Sequence, residues 1–144
     1  TWLAFLPART ILTPHPGELD RICGKVSSSY DRWQNARTLA VKTGCIVVLK
    51  GAYSRICLPD GQTLFNSSGN AGMATAGAGD VLSGIISALL ASGYSELDAA
   101  VLGVFAHGMA GDFAAAKHGE TGIIAGDIVE ALAEVWKVME ARMQ

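Results

Sequence analysis

Apolar positions in this chain fall into short β-branched runs early on and into helical stripes later. The run RTILT (Arg9–Thr13) predicts a short strand. Pro14 and Pro16 end it, because each fixes its own φ and holds the preceding residue, Thr13 or His15, extended. Proline also suits the first turn of a helix, so PGELDRIC (Pro16–Cys23) predicts a short helix closing at Gly24. His15 then stands just after a strand and at a helix N-terminus. A second helix is predicted from Ser28 or Ser29 to Thr43, with Tyr30, Trp33, Ala36 and Ala40 as its apolar stripe and Gly44 as its stop. CIVVLK (Cys45–Lys50) reads as a buried strand. YSRICL (Tyr53–Leu58) and QTLFN (Gln62–Asn66) read as two more, joined by the turn Pro59-Asp60-Gly61.

Beyond a glycine-rich stretch the pattern turns helical. Leu82, Ile85, Ile86, Leu89 and Leu90 form one stripe, SELD (Ser95–Asp98) has capping-box spacing for a second helix, and DIVE (Asp127–Glu130) has it for a third. That last helix carries Ile128, Leu132, Val135, Trp136 and Met139 along one face. Strands early and three helices late predict a layered α/β domain. The strand count is low for a complete doubly wound sheet. With no initiating methionine and a hydrophobic run at once, the chain reads as residues 1–144 of the C-terminal part of one domain in a longer protein.

Composition narrows the chemistry. Half of the 144 residues are hydrophobic and 17% are charged, which is ample for a core and excludes a disordered chain. With 11 Lys and Arg against 13 Asp and Glu, no basic face is implied, which argues against nucleic acid and for small-molecule chemistry. Cys23, Cys45 and Cys57 form no CxxC pair and read as buried thiols of a reducing, cytoplasmic environment. The most apolar stretch noted, Val81–Leu90, has about half the length that a bilayer span needs, so no membrane partner is expected.

The candidate chemistry lies in SGNAGMATAGAGDVLSGIISALL (Ser68–Leu90). Gly72 and Gly77 have P-loop spacing, but Ala78 stands where that motif needs lysine. Gly77 and Gly79 begin a dinucleotide fingerprint, but Leu82 occupies the place of its third glycine. Converging amides at a helix start still suit a phosphate or a developing oxyanion. Asp80 competes for the same positive field. It is either an N-terminal cap, worth about 1 kcal/mol, or a general base for a substrate hydroxyl. The chemistry alone leaves both readings open.

GAGD followed by an apolar helix resembles the anion-hole and catalytic-aspartate motif of the ribokinase-like superfamily. LTPHPGEL (12–19), VVLKGAYS (47–54), NSSGNAGMATAGAGDVLSGIISALL (66–90), HGMAGD (107–112) and GIIAGDIVEAL (122–132) together resemble the ADP- or ATP-dependent NAD(P)H-hydrate dehydratases. The resemblance runs over nearly the whole chain. It implies a ribokinase-like αβα fold, here its C-terminal half, and a substrate that is NADH or NADPH hydrated at the nicotinamide ring. Phosphorylation of the new hydroxyl and loss of phosphate would restore the ring.

The resemblance also implies roles. Asp80 would be the catalytic base beside the substrate, with the amides of Gly77, Ala78 and Gly79 as the anion hole. His15 would contact the hydrated nicotinamide nucleotide. Lys50, Gly51, Ala52, Tyr53 and Ser54, with Gly79, would bind ADP or ATP. Many relatives carry histidine and threonine where this chain has Tyr53 and Ser54; serine keeps the hydroxyl. Asn66 and Asn70 would support the loop, and Glu18 would serve the helix start. Mg2+ would arrive on the nucleotide phosphates, with no protein metal site. His107, flanked by Gly103 and Gly111, reads as a core histidine, and His118 as a surface one. A homo-oligomer and an epimerase domain in the parent chain are further implications. The competing readings are a vitamin-precursor or sugar-like kinase of the same superfamily, sharing GAGD, and an inactive nucleotide-binding fragment. Low turnover is expected of residues 1–144 alone, because half a pocket orients substrate poorly.

Overall fold

β2 (Ile46–Leu49) is buried at all four positions, the signature of a strand covered on both faces. Around it runs a four-stranded sheet in the order β1-β2-β3-β4, with β1 (Ile11–Leu12), β3 (Arg55–Cys57) and β4 (Thr63–Phe65). β1 pairs parallel to β2, placing Leu12 opposite Val47, and the other two pairings are antiparallel. A computed structural model of the chain describes residues 2–7 and 9–141. It divides into two compact units, Thr1–Asn66 with Ser95–Ala100, and Ser67–Tyr94 with Val101–Gln144.

The sheet and two helices make the first unit. α1 (Pro16–Cys23) ends at Gly24, and α2 (Ser29–Thr43) runs from the Ser28 cap to Gly44, whose φ of 70° is the left-handed turn that glycine adopts freely. Leu19 of α1, Ala36, Leu39 and Ala40 of α2, and Val47, Leu49 and Cys57 of the sheet form its core. Three details differ from expectation. Leu39 belongs to the buried face of α2, whereas Tyr30 is exposed and meets the edge of Trp33 at 5.6 Å between ring centroids. Only Ile11 and Leu12 of the predicted strand 9–13 are strand residues, although the Thr10 carbonyl on one side and the Pro14 carbonyl on the other still accept from the Ile46 and Lys50 amides, each at 3.0 Å. Cys45 and Cys57 are buried as expected, but Cys23, in the last turn of α1, is exposed.

The second unit is helical. α3 (Ala78–Ala91) begins four residues before its apolar stripe, and Leu82, Ile85, Ile86 and Leu89 are buried while Leu90 is partly exposed. α5 (Ala125–Ala141) presents Ile128, Leu132, Val135, Trp136 and Met139 to a core that includes Ala78, Ala106, Ala110 and Ala114. It starts two residues earlier than DIVE suggested, so Asp127 occupies the third helical position rather than the cap.

α4 (Glu96–His118) is the longest element, 23 residues, and its residues contribute to both units. By length and composition it is apolar enough to cross a membrane, with half of the relevant window buried inside the protein. Its glycines explain its closeness to neighbours in the second unit. A Cβ at Gly103 would come within 2.7 Å of Ile86 Cγ1, and one at Gly108 or Gly111 would collide with Ser68 or Met73.

Candidate functional site

The functional candidates lie in two groups, one in each unit. In the first, backbone pairing extends past β1, with the Lys50 N–H donating to the Pro14 carbonyl at 3.0 Å. This sets Lys50 beside the start of α1. His15 is extended (φ −79°, ψ 167°) and caps that helix, its Nδ1 accepting from the Gly17 and Glu18 amides at 3.0 and 3.2 Å. Glu18 reciprocates, its Oε2 accepting from the His15 N–H at 2.6 Å. The result is a capping box with histidine in the place of serine or threonine. Because Nδ1 accepts, the neutral imidazole carries its proton on Nε2, and the side chain is half exposed.

Lys50 Nζ stands 3.7 Å from Glu18 Oε2, and His15 Nε2 stands 3.5 Å from Oε1. Glu18 therefore joins the two candidates, a bridging role beyond the helix-start role read from sequence. The His15 amide, and to a lesser degree Lys50, lower its carboxyl pKa, while partial burial acts the other way. Gly51, Ala52 and Tyr53 form an exposed turn after β2, and the Ser54 hydroxyl donates to the Gly51 carbonyl at 3.4 Å. Asn66 closes the same segment through its amide bond to the Ser54 carbonyl.

In the second unit, residues 68–80 form the glycine loop. Asn70 caps a single 3-10 turn (Ala71–Met73), its Oδ1 accepting from Gly72 N–H at 3.1 Å. Asp112 of α4 takes the loop's near end, accepting from Gly69 N–H at 2.9 Å and Asn70 Nδ2 at 3.0 Å. At the far end, His107 Nε2 donates to the Ala78 carbonyl at 2.9 Å. His107 is partly buried, as a core histidine would be, but its bond goes to the loop. Gly77 then caps α3 in the left-handed region (φ 86°) with no side chain to offer. Ala78 N–H is engaged by the Thr75 carbonyl at 3.3 Å, whereas among the described residues nothing accepts from the Gly77 or Gly79 amide. Those two amides, at the helix start, are available donors for an anion.

A regularity isolates Asp80. Among the described residues, each of the five α-helices carries an acid at its third position: Glu18, Asp31, Asp80, Asp98 and Asp127. Four of these carboxylates bond the residue that caps their own helix. Glu18 and Asp127 accept from the amides of His15 and Ile124 at 2.6 and 2.9 Å, and Asp31 and Asp98 accept from the hydroxyls of Ser28 and Ser95, both at 2.6 Å. Asp80 is exposed, and among the described residues no side chain or amide bonds its carboxylate. The cause is local. An extended cap residue turns its N–H or hydroxyl toward the third position; Gly77 has no hydroxyl and its left-handed backbone points the amide elsewhere. Asp80 is thus not a cap.

No group of three or more His, Cys, Asp or Glu side chains able to hold a metal occurs among the described residues. The model of the family described as NAD(P)H-hydrate dehydratase matches residues 4–134. The chain belongs to the NAD(P)H-hydrate dehydratase family. It is 43% identical over 136 residues to a bifunctional NAD(P)H-hydrate repair enzyme of Moorella thermoacetica, covering 93% of this chain and 26% of that protein. It is 44% identical over 124 residues to an ADP-dependent (S)-NAD(P)H-hydrate dehydratase of Neisseria meningitidis, covering 84% and 42%. Its structure resembles the ADP/ATP-dependent NAD(P)H-hydrate dehydratase of Bacillus subtilis co-crystallised with ATP and Mg2+, with a TM-score of 0.83 and 32% identity over 88% of this chain and 47% of that one. This member of the family therefore spans between a quarter and about half the length of these relatives. The fold is ribokinase-like, as the resemblance implied.

Sequence reading of this dehydratase-family chain missed Asp112 and the direction of the His107 bond. A signal was present: from Ala99 to Ala116 every residue but those two is apolar or glycine.

Proposed function

We propose that the protein carrying this chain dehydrates hydrated NADH or NADPH at the expense of ADP or ATP. The observation that carries this reading is the unpartnered carboxylate of Asp80, beside the open Gly77 and Gly79 amides, in a chain of this family. Asp80 takes the proton of the ring hydroxyl. The oxygen so freed attacks the terminal phosphorus, and the bond from that phosphorus to the nucleotide's bridging oxygen breaks. The Gly77 and Gly79 amides hold the charge that grows on the transferring group. Phosphate then leaves the ring carbon next to the nitrogen, assisted by the nitrogen lone pair, and a proton leaves the neighbouring carbon. The ring double bond returns, with phosphate and the shortened nucleotide as co-products.

His15 offers its Nε2–H to the nicotinamide nucleotide, and Lys50 with Gly51, Ala52, Tyr53 and Ser54 binds the phosphorylating nucleotide. Lys50 suits an anion, since its only described carboxylate neighbour, Glu18, is itself occupied by the His15 amide. Mg2+, carried by the nucleotide phosphates, neutralises their charge. Asn66 and Asn70 support the segments on which these groups sit. We place the protein in the cytoplasm as a homo-oligomer, with an epimerase domain in the parent chain; relatives of Moorella thermoacetica and Escherichia coli are named bifunctional NAD(P)H-hydrate repair enzymes.

The test is to mix the full-length protein with hydrated NADH, Mg2+ and either ADP or ATP and to follow the reduced nicotinamide absorbance. Recovery of that absorbance with stoichiometric phosphate release is expected. A phosphorylated product that accumulates without recovery would make the protein a kinase instead.

A further inference from the structure

We propose that His107 and Asp112 are positioning residues that set the rate of phosphoryl transfer by holding the 68–80 loop from α4; this rests on the reading of Asp80 as the base. The loop cannot hold itself. Between Gly69 and Gly79 only Asn70, Met73 and Thr75 have side chains larger than a methyl group, and glycine-rich backbone is the most costly to order. Its polar anchors come from α4, in whose apolar middle His107 and Asp112 are the two polar side chains, while Gly72 lies against the Glu120 backbone, where a Cβ would meet the carbonyl oxygen at 2.2 Å.

Each takes one end. The Asp112 carboxylate fixes the entrance with both oxygens, one on the Gly69 amide and one on the Asn70 carboxamide. The His107 Nε2–H fixes the exit at the Ala78 carbonyl, one residue before Gly79 and two before Asp80. Between those ends, α4 lets the loop approach because Gly108 and Gly111 leave room for Ser68 and Met73. The Ser68 hydroxyl adds a bond to the Phe105 carbonyl at 3.1 Å. The amides of Gly77 and Gly79 and the carboxylate of Asp80 hang from this clamp. None of the clamp bonds touches the reacting atoms, so its effect falls on orientation, where small misplacements cost about 10²-fold in rate.

The experiment compares wild-type full-length protein with His107→Leu, His107→Gln and Asp112→Ala. The side-chain amide of glutamine can still donate to the Ala78 carbonyl. His107→Leu and Asp112→Ala are expected to lower kcat by roughly 10- to 100-fold, with KM for nucleotide and for hydrated NADH within about twofold, and His107→Gln to recover most of the loss. Amide hydrogen exchange should quicken in peptides spanning 69–82 and stay unchanged in α5. Full kcat in His107→Leu would overturn the proposal, as would equal losses in the Leu and Gln variants or a rise in exchange spread over the whole second unit. If the wild type shows no dehydration, the functional reading fails. The exchange data then judge the clamp alone: quickening confined to the loop supports it, and unchanged loop exchange refutes it.

Discussion

The starts of α1 and α3 have the same layout and opposite outcomes. Both have a carboxylate at the third position, and both lie where the chain turns into a helix after a stretch of glycine or proline. At α1, His15 and Glu18 satisfy each other and the orphan amides, so the helix start is closed. At α3, Gly77 supplies neither side chain nor a suitably directed amide, and Asp80 stays open. The difference teaches that an acid in the first turn is informative only together with the residue that precedes the helix. A left-handed glycine there releases the acid for chemistry, and an extended polar residue consumes it.

The largest test of this contrast is Asp80→Asn. Loss of the base should lower the dehydration rate by about 10² to 10⁴, while the melting temperature falls by at most a few degrees, because only the favourable place of the charge at the helix start is lost and no hydrogen bond. A variant with full rate would return Asp80 to a bland first-turn acid. Next comes Gly77→Ala. A side chain at φ 86° is disfavoured by roughly 1–2 kcal/mol, and its Cβ would also stand 3.1 Å from the Ala125 Cβ. Urea denaturation should show a loss of that size, and unchanged stability would mean that the left-handed cap is not what keeps Asp80 open. Ser28→Ala, at a closed helix start, should lose about 1 kcal/mol by the same measurement, with no change in turnover. The smallest effect should come from Glu18→Gln. The folded carboxyl has a lowered pKa, so its charge stabilises the protein above the ordinary value of 4.5 and that contribution is lost as pH falls through the lower folded value. Melting curves of wild type and variant should differ at pH 6 and converge near pH 3; a constant offset would assign the effect to packing.

Much of this was legible in advance where local chemistry decides. Pro16, Gly24, Ser28, Gly44 and Ser95 mark helix ends because caps and breakers act within one turn, and each marks an end observed here. Asp127 misled because its partner is the backbone of Ile124, and a main-chain amide leaves no trace in residue type. Tyr30 and Leu39 were exchanged because an apolar stripe on a helix fixes a face only to within a residue or two. Cys23 is exposed because the last turn of α1 turns Ile22, not Cys23, toward the core. At the site, Asp80 and the glycines stood out by composition. The parts played by Glu18, His107 and Asp112 depend on segments far apart in sequence meeting in space, and periodicity carries no such information.

The bond from Lys50 N–H to the Pro14 carbonyl makes β1 and β2 a phasing device. Two ladder pairs and this one bond decide that lysine and histidine arrive together, since residues 12 and 47 are locked in step. A single residue inserted between Ile46 and Leu49 would turn the strand's following side chains to the other face of the sheet. The lysine would survive in the sequence and vanish from its place. In this segment, gaps in an alignment of related sequences should therefore be rarer than substitutions.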